Sequence, residues 1–315
     1  VDAAEVAHRF GLGDVVVVPA APAARGLRGA VRRLVTTTGT WAVKVADAPV
    51  GDASAVAGTT RAAEAAARLQ EAARRGGVPA PAVRRTREGA AVAVLHGRAV
   101  RVQGWVDVDP PDDRLDPAAV GRVLAAAHRA GGPARGPVGP WYGAPVGAAA
   151  WDRLAARSLA AGAPFGASLA AARAELVALD ALVSPPEDLL TCHRDLWADN
   201  LRGTRGGGLC VLDWDESGPA DPAQELGYVL FEFARDDPSR ARGLVAAYEA
   251  AGGPARLRRL GQFGMLVAQL GHLLEDAVEQ WLAAGGAPSA QRAAEVLDDL
   301  HSRERLHVLL EAARA

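Results

Sequence analysis

Short apolar runs of strand length, separated by turn residues, fill the first third of the chain. Val15 to Val18, Val31 to Thr36, Trp41 to Val45 and Ala91 to Leu95 read as strands, and Thr37-Thr38-Gly39-Thr40 reads as the turn of a hairpin. Between them, Thr60 to Arg75 is an Ala-rich stretch of helical character that stops at Gly76-Gly77. A further strand, Val100 to Val106, leads into the breaker-rich Asp109-Pro110-Pro111-Asp112-Asp113. From Pro117 the pattern turns mostly helical. Pro117 to Ala130 is predicted as a helix with Asp116 as its N-cap and proline at the first helical position. Gly131 to Gly147 is Gly- and Pro-rich, carries Trp141-Tyr142, and reads as a long loop. Further helices are predicted over Ala148 to Ala161, Ser168 to Ser184, Pro222 to Ala234, Ser239 to Ala251, Leu257 to Ala284 and Ala290 to Ala313. No repeat of fixed period is visible. The pattern therefore divides the chain into 1–102, rich in strands, and 103–315, mostly helical.

One stretch interrupts the helical half with different chemistry. His193-Arg194-Asp195-Leu196-Trp197-Ala198-Asp199-Asn200 is followed by the Gly-rich Gly203 to Gly208, then by the apolar run Leu209-Cys210-Val211-Leu212, which ends in Asp213. The glycines read as a hairpin turn, which would set Asn200 and Asp213 side by side. Paired amide and carboxylate oxygens suit a hard divalent cation. Asp195, nearby, is placed to accept a proton. Metal to neutralise phosphate charge and a base to orient a hydroxyl are what phosphoryl transfer requires. A carboxylate closing a buried strand is hard to explain as packing, because unpaired carboxylates avoid such positions.

Composition adds a second signal. Lysine occurs once among the 35 Lys and Arg residues, at Lys44, inside the apolar run Trp41-Ala42-Val43-Lys44-Val45. A buried ammonium is costly unless it meets an anion, and a compact charge with three rotatable donors suits a pair of phosphates better than a planar guanidinium does. Glu64, on the predicted helix, is placed to anchor Lys44 through an ion pair. Half of the 315 residues are hydrophobic, enough for a substantial core, and the formal net charge of -2 without a basic block argues against a nucleic-acid partner. Two cysteines, Cys192 and Cys210, are too few for a disulfide framework and read as buried thiols. Neither a signal peptide nor a membrane span is visible, so the expected location is cytoplasmic and no membrane partner is expected.

These motifs resemble the aminoglycoside phosphotransferase and choline kinase group. His193 to Asn200 is similar to that group's catalytic loop, Leu212-Asp213-Trp214-Asp215 to its metal-binding segment, and Gly218-Pro219-Ala220-Asp221-Pro222 also fits. Leu124 to His128 resembles the helix end that recurs ahead of the loop, and Gly77-Val78-Pro79-Ala80-Pro81 the segment after the first-lobe helix. The resemblance implies an α+β, bilobal protein-kinase-like fold, with a small β-rich N-lobe that binds nucleotide (1–102) and a larger, mostly helical C-lobe carrying the catalytic loop and acceptor site (103–315). It implies ATP and Mg²⁺ as cofactors. Asp195 would be the catalytic base, Asn200 and Asp213 the magnesium ligands, Lys44 the contact to the α- and β-phosphates with Glu64 as its partner, and the backbone around Gln103 to Trp105 the adenine site. His193 and Arg194 would act structurally. Many members carry glycine where Arg194 stands, and the loop Ala24-Arg25-Gly26-Leu27-Arg28-Gly29-Ala30 is glycine-poor for a phosphate cradle, with Arg25 or Arg28 as candidate aids.

The implied activity is transfer of a γ-phosphate to a hydroxyl of a small molecule, an aminoglycoside or related antibiotic. The alternatives are a kinase of a metabolic sugar or amino alcohol, and a non-catalytic nucleotide-binding regulator. A protein kinase is disfavoured, because no activation segment follows Asp213. Asp215, Glu216, Glu232, Asp236, Asp237, Glu275, Asp276 and Glu279 are acidic candidates for a cationic acceptor, and Trp141, Tyr142 and Trp281 are candidate stacking surfaces.

Overall fold

The computed structural model describes residues 1–18, 24–26, 29–47, 49–51, 53–299 and 303–315. Leu27 and Arg28 of the glycine-poor loop, and residues 300–302 within the helix expected over Ala290 to Ala313, lie outside these.

In chain order the elements are α1 (Ala3–Phe10), β1 (Val15–Val17), β2 (Ala24–Gly26), β3 (Gly29–Thr36), β4 (Gly39–Ala46), α2 (Ala53–Arg75), β5 (Val83–Arg84), β6 (Ala93–Leu95) and β7 (Arg98–Gly104). There follow α3 (Pro117–Gly131), α4 (Pro140–Gly143), α5 (Ala148–Ala160), α6 (Gly166–Asp180), β8 (Leu190–Cys192), β9 (Leu201–Gly203), β10 (Leu209–Val211) and β11 (Gly218–Ala220). The chain closes with α7 (Pro222–Ala234), α8 (Pro238–Ala250), α9 (Gly264–Ala284), α10 (Ala287–Asp299) and α11 (Arg303–Arg314). The architecture is the mixed one expected, a β-rich N-terminal sheet and a helical C-terminal part. Contacts divide the chain into two compact units: Val1–Asp112 with Ala198–Ser217, and Asp113–Trp197 with Gly218–Ala315.

The first unit is built on a seven-stranded antiparallel sheet, ordered β1-β3-β4-β7-β5, with β2 on β3 and β6 on β7. Its core is Phe10, Leu12, Leu34, Val43, Leu95, Val100 and Val102, so α1, which the sequence reading omitted, seals one side of the sheet with Val6, Ala7 and Phe10. Asp2 caps α1 through the Ala4 amide, and Gly11 closes it in the left-handed conformation, φ 60°. The hairpin of β9 and β10 belongs to this unit. Val211 N–H donates to Pro79 O at 2.7 Å and Asp109 N–H to Gly203 O at 2.8 Å.

In the second unit three Asp-Pro pairs start helices. Asp116 accepts from the Ala118 and Ala119 amides, Asp221 from Ala223, and Asp237 from Ser239 and Arg240. The prolines fill the first helical position, where no N–H is needed. Trp151, Leu154, Leu169, Tyr228, Phe233, Leu244, Tyr248, Phe263 and Leu274 are buried. Helices α3 and α8 approach at backbone distance. A Cβ at Gly121 would lie 2.2 Å from Leu244 O, and one at Gly131 2.0 Å from Thr191 O. The helix expected over Leu257 to Ala284 is a 3-10 turn (Leu260–Phe263) followed by α9. The long loop holds the single turn α4. Among the described residues, no helix is long and apolar enough to cross a membrane.

Candidate functional site

In the first unit the hairpin brings its chemistry to Lys44. Leu201 pairs with Val211 in register, and Leu212 N–H donates to Asn200 O at 2.7 Å, so Asn200 and Asp213 flank the same end of the ladder. The Gly-rich turn bends through Gly207 and Gly208 at φ 82° and 86°. Asp213 itself has left-handed backbone, φ 46°, and the 3-10 turn Trp214–Glu216 follows. Trp214 anchors that turn, 1% exposed, with its indole N–H on Val211 O at 3.2 Å.

Lys44 projects from β4, flanked in register by Val31 on β3 and Arg101 on β7. Its Nζ lies 2.7 Å from both oxygens of Asp213 and 2.8 Å from Asp215 Oδ2. Arg101 also donates to Asp215 Oδ2. Two cations and two carboxylates thus form one half-buried group. Burial alone would raise the Asp215 carboxyl, but Arg101 and Lys44 outweigh it and hold it at about 2. Burial would lower the Lys44 ammonium, and Asp215 and Asp213 outweigh that to hold it above its ordinary value.

Glu64 does not make the expected ion pair with Lys44; it pairs with Arg85. Glu64 Oε2 accepts from Arg85 at 2.9 Å, and Oε1 from the Ala91 amide at 2.5 Å. Arg85 is bonded to Glu71 as well, at 2.9 and 3.0 Å. Glu64 therefore ties α2 to the chain before β6. Its carboxyl is held low: burial opposes ionisation, but the Ala91 amide and Arg85 prevail.

Around Gln103 to Trp105 the backbone is partly committed. Gly104 N–H donates to Ala82 O at 2.8 Å and Trp105 N–H to Thr40 O at 3.0 Å. The Gln103 side chain donates to Gln70, which in turn donates to Pro81 O. The Trp105 indole donates to Asp107 at 2.9 Å, with the Arg33 guanidinium 5.3 Å above its ring.

In the second unit the loop containing Asp195 leaves β8. His193 is 1% exposed, and its Nδ1 accepts the Asp195 N–H at 3.3 Å, a structural tie across the loop. Arg194 has φ 68°, costly for a side-chain-bearing residue. Its N–H donates to Glu225 Oε1 and its carbonyl accepts from Gln269 Nε2 at 2.9 Å. Its guanidinium stacks 4.0 Å from the centre of the Tyr142 ring. Gly218 leaves that guanidinium its space, since a Cβ there would sit 2.7 Å from Cζ. Trp197 packs edge-on against Tyr228 at 4.4 Å.

Glu225 is fully buried. Its Oε2 meets His128 Nε2 at 2.8 Å, and His128 Nδ1 meets the Tyr248 hydroxyl at 2.8 Å. Burial pushes the Glu225 carboxyl up; the bond and charge of His128, with the Arg194 amide, outweigh it and hold the group low. Cys192 adjoins this pair, and its Sγ lies within 4.8 Å of the His128 and Glu225 ligand atoms. Both nitrogens of His128 and both oxygens of Glu225 are already engaged by protein, so the group reads as a hydrogen-bonded network. Both thiols are free and buried, and burial raises them, Cys210 to about 11. The acceptor candidates Trp141 and Trp281 contact His272 and Phe165, at 5.5 and 5.6 Å between ring centres.

Sequence reasoning did not assign Arg101, Glu225 or Gln269, and placed Asp215 in the segment similar to a metal-binding one and among the acceptor candidates, without a contact to Lys44. Glu225 had a legible signal, a carboxylate directly ahead of the apolar run Leu226 to Phe231 of its helix. Arg101 had none, because its role depends on strand register.

Asn200 and Asp213 stand at adjoining positions of one hairpin, and an amide and a carboxylate are donor types that suit a hard divalent cation. Residues 20–260 match the sequence profile of APH, the phosphotransferase enzyme family. No curated protein sequence matches the chain. Similar solved structures include an aminoglycoside phosphotransferase from Alicyclobacillus acidocaldarius, 16% identical, covering 94% of this chain and 92% of its own, with a TM-score of 0.63. A spectinomycin phosphotransferase in complex with ADP and spectinomycin is 13% identical, covers 96% and 97%, and has a TM-score of 0.68. Choline kinase from Streptococcus pneumoniae is 15% identical, covers 94% and 96%, and has a TM-score of 0.56. At these identities the likeness is one of fold, the protein-kinase-like fold that the motifs implied.

Proposed function

From the premise that the chain belongs to the phosphotransferase enzyme family, we propose that it moves the γ-phosphate of ATP to a hydroxyl of a small molecule, with an aminoglycoside or related antibiotic as the acceptor. The observation that carries this reading is the Lys44 ammonium meeting Asp213 at 2.7 Å, on a hairpin whose other strand starts beside Asn200. A lone lysine held against a candidate metal ligand is an arrangement for managing phosphate charge.

Each residue has a stated part. Lys44 contacts the α- and β-phosphates. Asn200 and Asp213 hold Mg²⁺, which when bound supplies neutralisation of phosphate charge. Asp195 orients the acceptor hydroxyl and takes its proton. Gln103 to Trp105 line the adenine, through groups other than the committed Gly104 and Trp105 amides. Glu64, spent on Arg85 and Ala91, acts at one remove by fixing α2. The nucleotide lobe spans 1–102, and the lobe carrying the catalytic loop and acceptor site spans 103–315. The protein supplies position and charge, with little covalent work of its own.

ATP consumption measured across a panel of aminoglycosides, other antibiotic hydroxyls, sugars and amino alcohols tests the reading. ADP formation dependent on one acceptor class, with phosphate recovered on that acceptor, is the expected result. Absence of acceptor-dependent turnover together with absence of ATP binding would remove it. Turnover on a sugar or amino alcohol alone would keep the reaction and replace the acceptor.

A further inference from the structure

The proposed role of Lys44 needs its ammonium held in one place, because a four-carbon stem with free rotation does not fix a charge by itself. Three carboxylates are candidates for that task. Glu64 is occupied at both oxygens, by Arg85 at 2.9 Å and by the Ala91 amide at 2.5 Å. Asp213 touches Lys44 with both oxygens, yet it is the residue assigned to the metal and must turn part of its carboxylate to the ion. Asp215 remains, at 2.8 Å from Nζ.

Strand register gives an independent reason. Lys44 and Arg101 stand directly opposite on β4 and β7, and like charges in that relation repel. Asp215 Oδ2 accepts from both. The shared carboxylate turns a repulsive cross-strand pair into a bridged one and leaves Lys44 with two of its three donors on Asp213.

We propose that Asp215, itself fixed by Arg101, is the positioning residue for Lys44, filling the place that the helix residue Glu64 was expected to hold. This rests on the reading of Lys44 as a phosphate contact. Arg101 carries a second task in this arrangement: it cancels the charge of Asp215, which would otherwise repel the phosphates.

Lys44 is the only lysine in the chain, so an amine-selective reagent followed by peptide mass spectrometry reads its ε-amine without ambiguity. In nucleotide-free protein, Asp215→Asn is expected to speed Lys44 labelling about tenfold, the scale of losing a hydrogen bond to a charged group. Glu64→Gln is expected to change it far less. Equilibrium binding of a fluorescent ATP analogue with Mg²⁺ should weaken in the same order, about tenfold for Asp215→Asn and for Arg101→Met. Arg101→Lys and Asp215→Glu should each restore part of the loss, and thermal melts identify any variant that fails to fold. In turnover the loss should fall on KM for ATP more than on kcat.

The proposal is overturned if Asp215→Asn labels and binds like the parent, or if Glu64→Gln gives the larger rise in labelling and the larger loss of binding. Parent protein that binds no ATP would instead remove the phosphotransferase reading, and the labelling experiment would still decide which carboxylate anchors Lys44.

Discussion

The backbone entering Asp195 is fixed on three sides: the Arg194 amide by Glu225, the Arg194 carbonyl by Gln269 and the Asp195 amide by His193. A side chain mounted on such a loop can be removed with little rearrangement. Asp195→Ala is therefore expected to lower kcat by about 10²- to 10⁴-fold, the range for loss of a general base, while ATP binding measured by fluorescence stays close to that of the parent. Near-parental turnover in that variant would end the base assignment. The motif residues Lys44, Asp195, Asn200 and Asp213 were legible as candidates because each breaks a local rule, a charge or amide set within or beside an apolar strand. The partner of Lys44 was not legible. Glu64 lay at a plausible helical position, but which carboxylate reaches an ammonium depends on packing between α2 and the sheet, and Arg85 reached Glu64 first. The Arg101–Asp215 contact spans more than a hundred residues of sequence and has no local signature.

Among the elements, α7 is the least ordinary, since it carries a fully buried carboxylate facing His128. The Glu225 carboxyl is held low in the folded protein, and its unfolded value is about 4.3. A group depressed on folding contributes stability that is fully present above the unfolded value and is lost as pH falls through the folded one. Denaturant midpoints of the parent should thus drop steeply on acidification below about pH 4.3, and Glu225→Gln should flatten that drop. An identical acid slope in both proteins would assign the loss elsewhere. The crossing of α3 and α8 gives a second expectation. Gly121→Ala places a methyl 2.2 Å from Leu244 O and should lower stability by about 1–3 kcal/mol, read as a shifted midpoint at unchanged m. Long elements were well marked in the sequence, from apolar spacing and the Asp-Pro starts. The two- and three-residue strands β2, β5, β8 and β11 were not, because nothing in such short runs separates them from loop. α1 was passed over although Asp2 and Gly11 bracket it.

For the molecule as a whole, the fold class was legible because strand-like and helix-like patterns occupy different stretches. The grouping of the chain was less so. A reader of the sequence divides it once, but the hairpin of residues 198–217 packs with the first unit, held there by Pro79, Asp109 and the charges of Lys44 and Arg101. Expressed alone, residues 1–112 lack Asp213 and Asp215 and keep two unbridged cations on neighbouring strands. That fragment should show faster proteolysis and a lower melting temperature than the same residues in the full chain, and equal resistance would mean that the hairpin adds nothing to the unit.

A unit assembled from separated stretches also sets a timetable for biosynthesis. At roughly 5–20 residues per second, a ribosome that has finished residue 112 works for about 5–20 s more before residue 217 is made. Throughout that interval the nascent sheet holds Lys44 and Arg101 without their counter-charges. A late-arriving hairpin therefore completes the earliest structure, and a slow or stalled translation of residues 113–197 would leave the front of the chain waiting for its counter-charges.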